Sequence, residues 1–390
     1  MAESTMGDST MSNGGATQIW TRHPAAIVGV GTTRQGSHPD RDAYGLAVDA
    51  FKDALADAGI DDRHRIDAVL TSRQLSGIDP IRFCRHVGMQ PKVTGDLDYA
   101  TGGFITQYAA MLIATGTCDT VACVYGRNIV GSGDAFCGVA EYDLDRGIVN
   151  ANAIFAIGWS QYLARHAPDE TVLGHVAVAA HRHAALNPIA AWPQPLSMQE
   201  YLADDFVLWP FRSWDIARVT AGAVALILTR REIARDLART PVYLHAVGRQ
   251  QSPRLYENPE QLLCTGMQSA ATQVYRAGGV GPGDIDALFV SDACSAAVVH
   301  TLENYGFCGA GEAADFMKDG AIEIGGRLPV NPSGGQLGEG YLVGWLQHAE
   351  LVRQLRGECG ARQIADLRIA QYCATGRQRE DFLTSIYVTE

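Results

Sequence analysis

Ala58-Gly-Ile-Asp-Asp-Arg-His-Arg-Ile-Asp-Ala-Val-Leu70 and Gly278-Gly-Val-Gly-Pro-Gly-Asp-Ile-Asp-Ala-Leu-Phe-Val290 are two versions of one phrase, about 220 residues apart. A stretch with helical spacing precedes each copy: Leu46, Ala47, Ala50, Phe51 and Leu55 before the first, Met267 to Ala277 before the second. In both, glycine stops the helix, and a short apolar run (Ile66 to Thr71, Asp284 to Val290) reads as a strand. Recurrence at this distance predicts duplicated halves. A chance match between two short segments is the competing reading. Ala25-Ala-Ile-Val-Gly-Val-Gly31 is a further buried strand, so strands alternate with helices and the fold class is α/β.

The second landmark is Asn331-Pro-Ser-Gly-Gly-Gln-Leu-Gly-Glu-Gly-Tyr-Leu-Val-Gly344, with five glycines in fourteen residues. Such a run cannot be a helix interior. It lets the backbone turn tightly and approach a ligand. Trp345 to Arg356 then has helical spacing up to Gly357. A glycine loop therefore opens a helix, with Asn331, Glu339 and Tyr341 set among the glycines. Gly334, Gly335 and Gly340 are the candidates to cradle a ligand, and a purely structural turn is the alternative.

The stretch resembles the C-terminal loop of the thiolase superfamily, in which an asparagine and paired glycines precede glycine-histidine. Tyr341 stands in the histidine's place. "GGQLGEGY" (334–341) and "RQLRG" (353–357) are most similar to sterol-carrier-type, lipid-transfer-like thiolases and to the aldolases derived from them. The resemblance covers roughly residues 24 to 390. It implies a thiolase-like fold, two duplicated α/β halves in αβαβα layers with a loop-domain insertion. The expected division is a disordered leader over 1–23, an N-terminal half over 24–240 with its insertion at about 129–208, and a C-terminal half over 241–390.

The same resemblance assigns site positions. Thiolases carry the nucleophilic cysteine in a Cys-Ala-Ser-Gly turn at a helix N-terminus, where N–H groups and the helix dipole favour a thiolate. Here the turn reads Tyr99-Ala-Thr-Gly102, so tyrosine occupies the cysteine's place. Ser291-Asp-Ala-Cys-Ser295 stands where thiolases have Asn-Glu-Ala-Phe. Ser291 replaces an asparagine that helps hold an oxyanion-hole water, and the related aldolases have tyrosine there. Asp292 is expected either to orient a donor or to cap the helix beginning near Ala296. Cys373, in the strand Arg368 to Gly376, matches the cysteine that takes a proton from the substrate α-carbon; inert packing is its alternative.

Thiolase cleavage needs a nucleophile, an acid or base for the α-carbon, and donors for the thioester oxygen. Tyrosine is a poor acyl carrier but a serviceable proton donor or acceptor. The leading reading is therefore retro-aldol cleavage of a β-hydroxyacyl-CoA, with Tyr341, Tyr99, Glu339 and Cys373 sharing the tasks. An acyltransferase using Cys84 or Cys373, and a non-catalytic acyl-CoA-binding module, are the other two. No covalent cofactor is expected; a coenzyme A thioester is the substrate. The resemblance also implies a homodimer formed through Thr120 to Tyr125, whose apolar composition suits either a buried sheet or such an interface, and a small zinc-ribbon, oligonucleotide-binding-fold partner completing a heterotetramer.

Composition bounds the rest. The 390 residues are 47% hydrophobic, enough for a sizeable core, and the net charge of −12 argues against a nucleic-acid surface. No apolar run reaches the ~20 residues needed to cross a bilayer. The start lacks a signal peptide's pattern, and nine scattered cysteines form neither a CxxC pair nor a zinc spacing. The expectation is a cytoplasmic protein with no metal site. His181 and His183 diverge on a helix and read as surface histidines.

Overall fold

Among the described residues of the computed structural model, nine strands form one sheet. The structure describes residues 23–73, 77–97, 101–129, 145, 148, 151–252, 259–376 and 381–390. The strands are β1 Ala25–Thr32, β2 Ala68–Thr71, β3 Val93–Asp96, β4 Thr120–Arg127, β7 Gly222–Arg230, β8 Val242–Gln251, β9 Ala287–Val290, β10 Ile369–Gly376 and β11 Asp381–Val388; β5 Phe206–Leu208 and β6 Phe211–Arg212 form a separate ribbon.

Outward from the centre, β1-β7-β4-β2 and β8-β11-β10-β9 follow one pattern: two antiparallel pairings, then a parallel one. The two series meet where β1 pairs with β8 at Ala26–Tyr243 and Ile27–Val242. The repeated phrase occupies equivalent places in both. Helix α1, Ala43–Ala58, ends at left-handed Gly59, passes a 3₁₀ turn at Arg63–Arg65 and enters β2. A later helix, Gly266–Gly278, ends at left-handed Gly279, passes Pro282–Asp284 and enters β9. Even the packing device repeats. A Cβ on Gly31 of β1 would overlap the Ala50 carbonyl of α1, and one on Gly248 of β8 would overlap the Ala270 carbonyl. Glycine is needed at both because helix backbone rests directly on strand.

Between the half-sheets lie α2, Gly102–Ala114, and the helix Trp345–Leu355. They touch each other and strands of both halves. Their apolar side chains share one core with the inward faces of the strands, including Phe104, Ile105, Leu226, Phe289, Trp345 and Leu346. With α1 outside one half and Gly266–Gly278 outside the other, the layers read αβαβα, as expected.

Between β4 and β7 the chain inserts α3, Ala151–His166, and α4, Val172–Ala185, before the β5–β6 ribbon. Helix α4 corrects one expectation: His181 and His183 are each only 2% exposed. Their divergence puts them on different sides, but α4 is packed by other helices nearly all round, so both sides are interior. The His181 Nδ1 bonds the Gln194 carbonyl at 3.1 Å, and burial lowers its pKa to about 4. His183 Nε2 accepts from the Ile324 N–H (3.1 Å), so its Nδ1–H donates to the Asn331 carbonyl (3.1 Å); burial lowers this pKa also.

Of the two readings of Thr120 to Tyr125, the structure shows the buried sheet and not the interface. These residues lie in β4, which is paired on both sides, by β2 and β7, and buried throughout. A strand with no free edge cannot add a second copy by edge pairing. Among the described residues no helix is long and apolar enough to cross a membrane, and no cluster of metal-ligating side chains occurs.

Candidate active site

The outer edge of β9 delivers the glycine loop. The Leu288 N–H donates to the Pro329 carbonyl and the Asn331 N–H donates to the Leu288 carbonyl, both at 2.9 Å. Asn331 then turns at φ 48°, and its side-chain amide clamps Val290: Oδ1 accepts from the Val290 N–H (2.8 Å) while Nδ2 donates to its carbonyl (3.0 Å). Asparagine tolerates the left-handed region because its side chain bonds locally.

The three candidate cradle glycines face this chain's own atoms. A Cβ on Gly334 would press on Ala184 of α4, one on Gly335 would overlap the Asp292 carboxylate, and one on Gly340 would crowd Thr220 and Gln35. Gly334 and Gly335 have φ of 105° and 61°, which favours glycine in any case. Their requirement is packing around the one-turn helix Gly335–Gly338, the structural alternative.

Ser291 and Asp292 sit on the turn after β9, and both are buried. Asp292 Oδ1 accepts from the Gln336 N–H (2.8 Å) and from Gln347 Nε2 (3.2 Å). It thus holds the glycine loop. It does not cap the next helix, Ser295–Asn304, whose N-cap is Cys294. Burial pushes the Asp292 carboxyl up to about 7. Ser291 Oγ accepts from Gln336 Nε2 (3.3 Å), and Gln336 Oε1 accepts from the Gly344 N–H (2.8 Å). Gln336, overlooked in the sequence, is therefore the hub joining the serine to the start of the helix Trp345–Leu355.

Glu339 is 2% exposed and accepts a 2.6 Å bond from Ser333 Oγ. Burial, with the nearby Glu350 carboxylate, raises it to about 7. Tyr341 is 7% exposed; its backbone bridges Val219, and the Arg127 guanidinium lies over its ring, 5.7 Å from the centroid. Burial raises the phenol's pKa above its ordinary value, and Arg127 opposes the rise without cancelling it.

Tyr99 lies outside the described residues. Just after it, the Gly102 N–H donates to the Val343 carbonyl (3.3 Å), and a Cβ on Gly102 would meet Trp345 Cα at 3.0 Å. The N-terminus of α2 thus abuts that of Trp345–Leu355. The two glycine turns meet.

Cys373 is not brought to this meeting point. Strand side chains alternate, and in β10 it is Tyr372 that faces the central layer. Cys373 faces outward among Cys264, Met267, Tyr305 and Phe382, 3.5 Å from Thr384 Oγ1, and burial pushes its thiol up to about 12. Cys84 also packs in an outer cluster, with its thiol raised by burial to about 11. Neither is a thiolate near neutrality.

His348 and Tyr372 are two further residues that the sequence did not single out. Their rings are 3.9 Å apart and fully buried, and His348 Nε2 lies 3.1 Å from Tyr387 Oη. Burial lowers the His348 pKa to about 3, so the imidazole is neutral. The glycine-to-helix transition at Gly344 was the one available signal for His348, which lies one turn into that helix.

Residues 248–389 match the family model described as Thiolase C-terminal domain-like. The chain is 33% identical over 355 residues to the 17-hydroxy-3-oxo-4-pregnene-20-carboxyl-CoA lyase of Mycobacterium tuberculosis, covering 85% of this chain and 92% of that one. It is 31% identical to the steroid side-chain-cleaving aldolase of Thermomonospora curvata, covering 85% and 90%. Among solved structures, an Ltp2-ChsH2(DUF35) aldolase superposes with a TM-score of 0.85 at 30% identity, over 94% of this chain and 98% of that one. The duplicated halves, the paired glycine turns and these relatives agree: the chain belongs to the thiolase superfamily, among its acyl-CoA lyases.

Proposed function

We propose that this chain cleaves a β-hydroxyacyl-CoA by a retro-aldol reaction, releasing a ketone and a shorter acyl-CoA with no acyl-enzyme. The observation that carries it is the phenol of Tyr341 on the loop where the two glycine turns meet, while Cys84 and Cys373 lie in outer layers as raised-pKa thiols. Tyr341 takes the proton of the β-hydroxyl. As the Cα–Cβ bond breaks, its electrons pass to the thioester carbonyl as an enolate, which protonation at Cα converts to the shorter thioester. Tyr99 and Ser291 are the donors for the thioester oxygen. Asp292 and Glu339, each near pKa 7, hold or return a proton close to neutrality. The outward placement of Cys373 leaves it outside this scheme.

The relatives' names support a steroid side chain as the acyl group. The two-component name of the Ltp2-ChsH2(DUF35) aldolase supports a small partner, which we take to be of zinc-ribbon, oligonucleotide-binding fold, joined to a homodimer of this chain in the cytoplasm. Its halves we place at 24–240 and 241–390, with 129–208 as the insertion. The test is to incubate the purified chain, alone and with such a partner, with a panel of β-hydroxy- and β-ketoacyl-CoAs. Ketone release from the β-hydroxy substrates is expected. Turnover of β-ketoacyl-CoAs alone would overturn the reading.

A further inference from the structure

Arg127, the last residue of β4, is fully buried. Its Nε donates to the Thr220 carbonyl at 2.9 Å, and the Tyr125 phenol is the polar side chain beside its terminal nitrogens, which make no bond of good geometry among the described residues. Other buried arginines of this chain are treated differently: Arg362 is bound by both oxygens of Glu350, and Arg356 meets Asp57 at 2.7 Å. No described carboxylate forms an ion pair with Arg127. A buried guanidinium with no carboxylate beside it is costly, and a negative charge formed next to it would offset that cost. In the candidate site it overlies the ring of Tyr341, 5.7 Å from the centroid.

We infer that Arg127 is a positioning residue whose guanidinium, balanced by no described carboxylate, is the counter-charge for a phenolate at Tyr341. The inference rests on the proposed lyase reading and supplies what that reading needs, a base. The phenolate oxygen takes the β-hydroxyl proton, the Cα–Cβ bond breaks, and its electron pair passes to the thioester as the enolate. Arg127 itself exchanges no proton. Facing Tyr341 are Arg127 and Tyr125 from β4, and Asp292 and Cys294 from the turn after β9; the segment at Val219–Thr220 brings only backbone and a hydroxyl. Arg127 is the cation among them. Losing it leaves groups that each oppose a phenolate.

The test is a tyrosine titration without substrate, so it stands whether or not acyl-CoA cleavage is found. Protein labelled with ¹³C at the tyrosine ring carbon bearing oxygen is titrated, and the Tyr341 resonance is identified by its loss in Tyr341→Phe. Arg127→Gln should raise the Tyr341 pKa by about one unit or more, a tenfold drop in phenolate at fixed pH. Arg127→Lys, which keeps the charge, should shift it less. Arg127→Met is read in place of the Gln variant if circular dichroism shows that the latter does not fold. Equal Tyr341 titrations in wild type, the Lys variant and the neutral variant would overturn the inference. So would a Tyr341 that ionises at or below its wild-type pH in the Arg127→Gln variant.

Discussion

The two halves of this molecule share their outer layers and differ at the centre. Gly31 lies under Ala50 as Gly248 lies under Ala270, and each helix ends in a left-handed glycine before a 3₁₀ turn and a strand. At the meeting of the glycine turns the likeness ends. The C-terminal half brings Ser291, Asp292, Gln336, Glu339 and Tyr341; the N-terminal half brings Thr101, Gly102 and Arg127, which no described carboxylate balances. Duplication preserved what packing requires. The proposed chemistry lies where the copies differ.

The sharpest way to break this comparison is Tyr341→Phe. If the centre is chemical, activity on a β-hydroxyacyl-CoA should fall by roughly 10²–10⁴ while the melting curve moves little, because one lost hydroxyl costs about 1 kcal/mol or less in stability. A loss under about threefold would make the phenol structural and pass the proton to Tyr99 or Glu339. The outer layers predict the opposite behaviour. Gly31→Val and Gly248→Val should each destabilise by ~1–3 kcal/mol or more, since strand and helix backbones must separate, with kcat per folded molecule retained. Unequal losses measured by urea unfolding would show that the repeated packing is not energetically equivalent.

Much of the fold was legible because it rests on local signals: glycine stops, helical spacing and a phrase stated twice. The site was legible in part. Tyr341 and Asp292 could be located from their neighbours in sequence. Cys373 could not, because an eight-residue strand buried on both sides gives no clue to which face is which, and a shift of one residue reverses every side chain. His181 and His183 were misjudged for a related reason: periodicity tells that two side chains diverge, but not that protein waits on both sides. Arg127 was invisible, since a missing carboxylate partner is a property of tertiary structure alone.

A smaller effect separates the buried acids of the centre. Asp292 is raised to about 7 by burial, so the folded chain binds its proton more tightly than the unfolded chain does. Its contribution to stability is present below about pH 4 and is lost as pH rises through about 7. Melting temperatures of wild type and Asp292→Asn, compared between those values, should therefore differ in slope, the wild type declining more steeply. Parallel slopes would mean that the carboxylate is charged and satisfied in the fold. Smallest of all should be Cys373→Ala, which removes one outward-facing thiol: kcat within about twofold, with iodoacetamide leaving wild-type activity unchanged.

The claim beneath all of these is that the bond breaks without an acyl-enzyme. It is tested most directly by following a β-hydroxyacyl-CoA substrate by mass spectrometry with and without added free coenzyme A. Retro-aldol cleavage predicts one ketone and one shorter acyl-CoA per turnover, at a rate independent of free coenzyme A. No cleavage of the β-hydroxyacyl-CoA, with the corresponding β-ketoacyl-CoA instead split to two thioesters in a reaction that requires free coenzyme A and leaves an acylated cysteine on the protein, would contradict it.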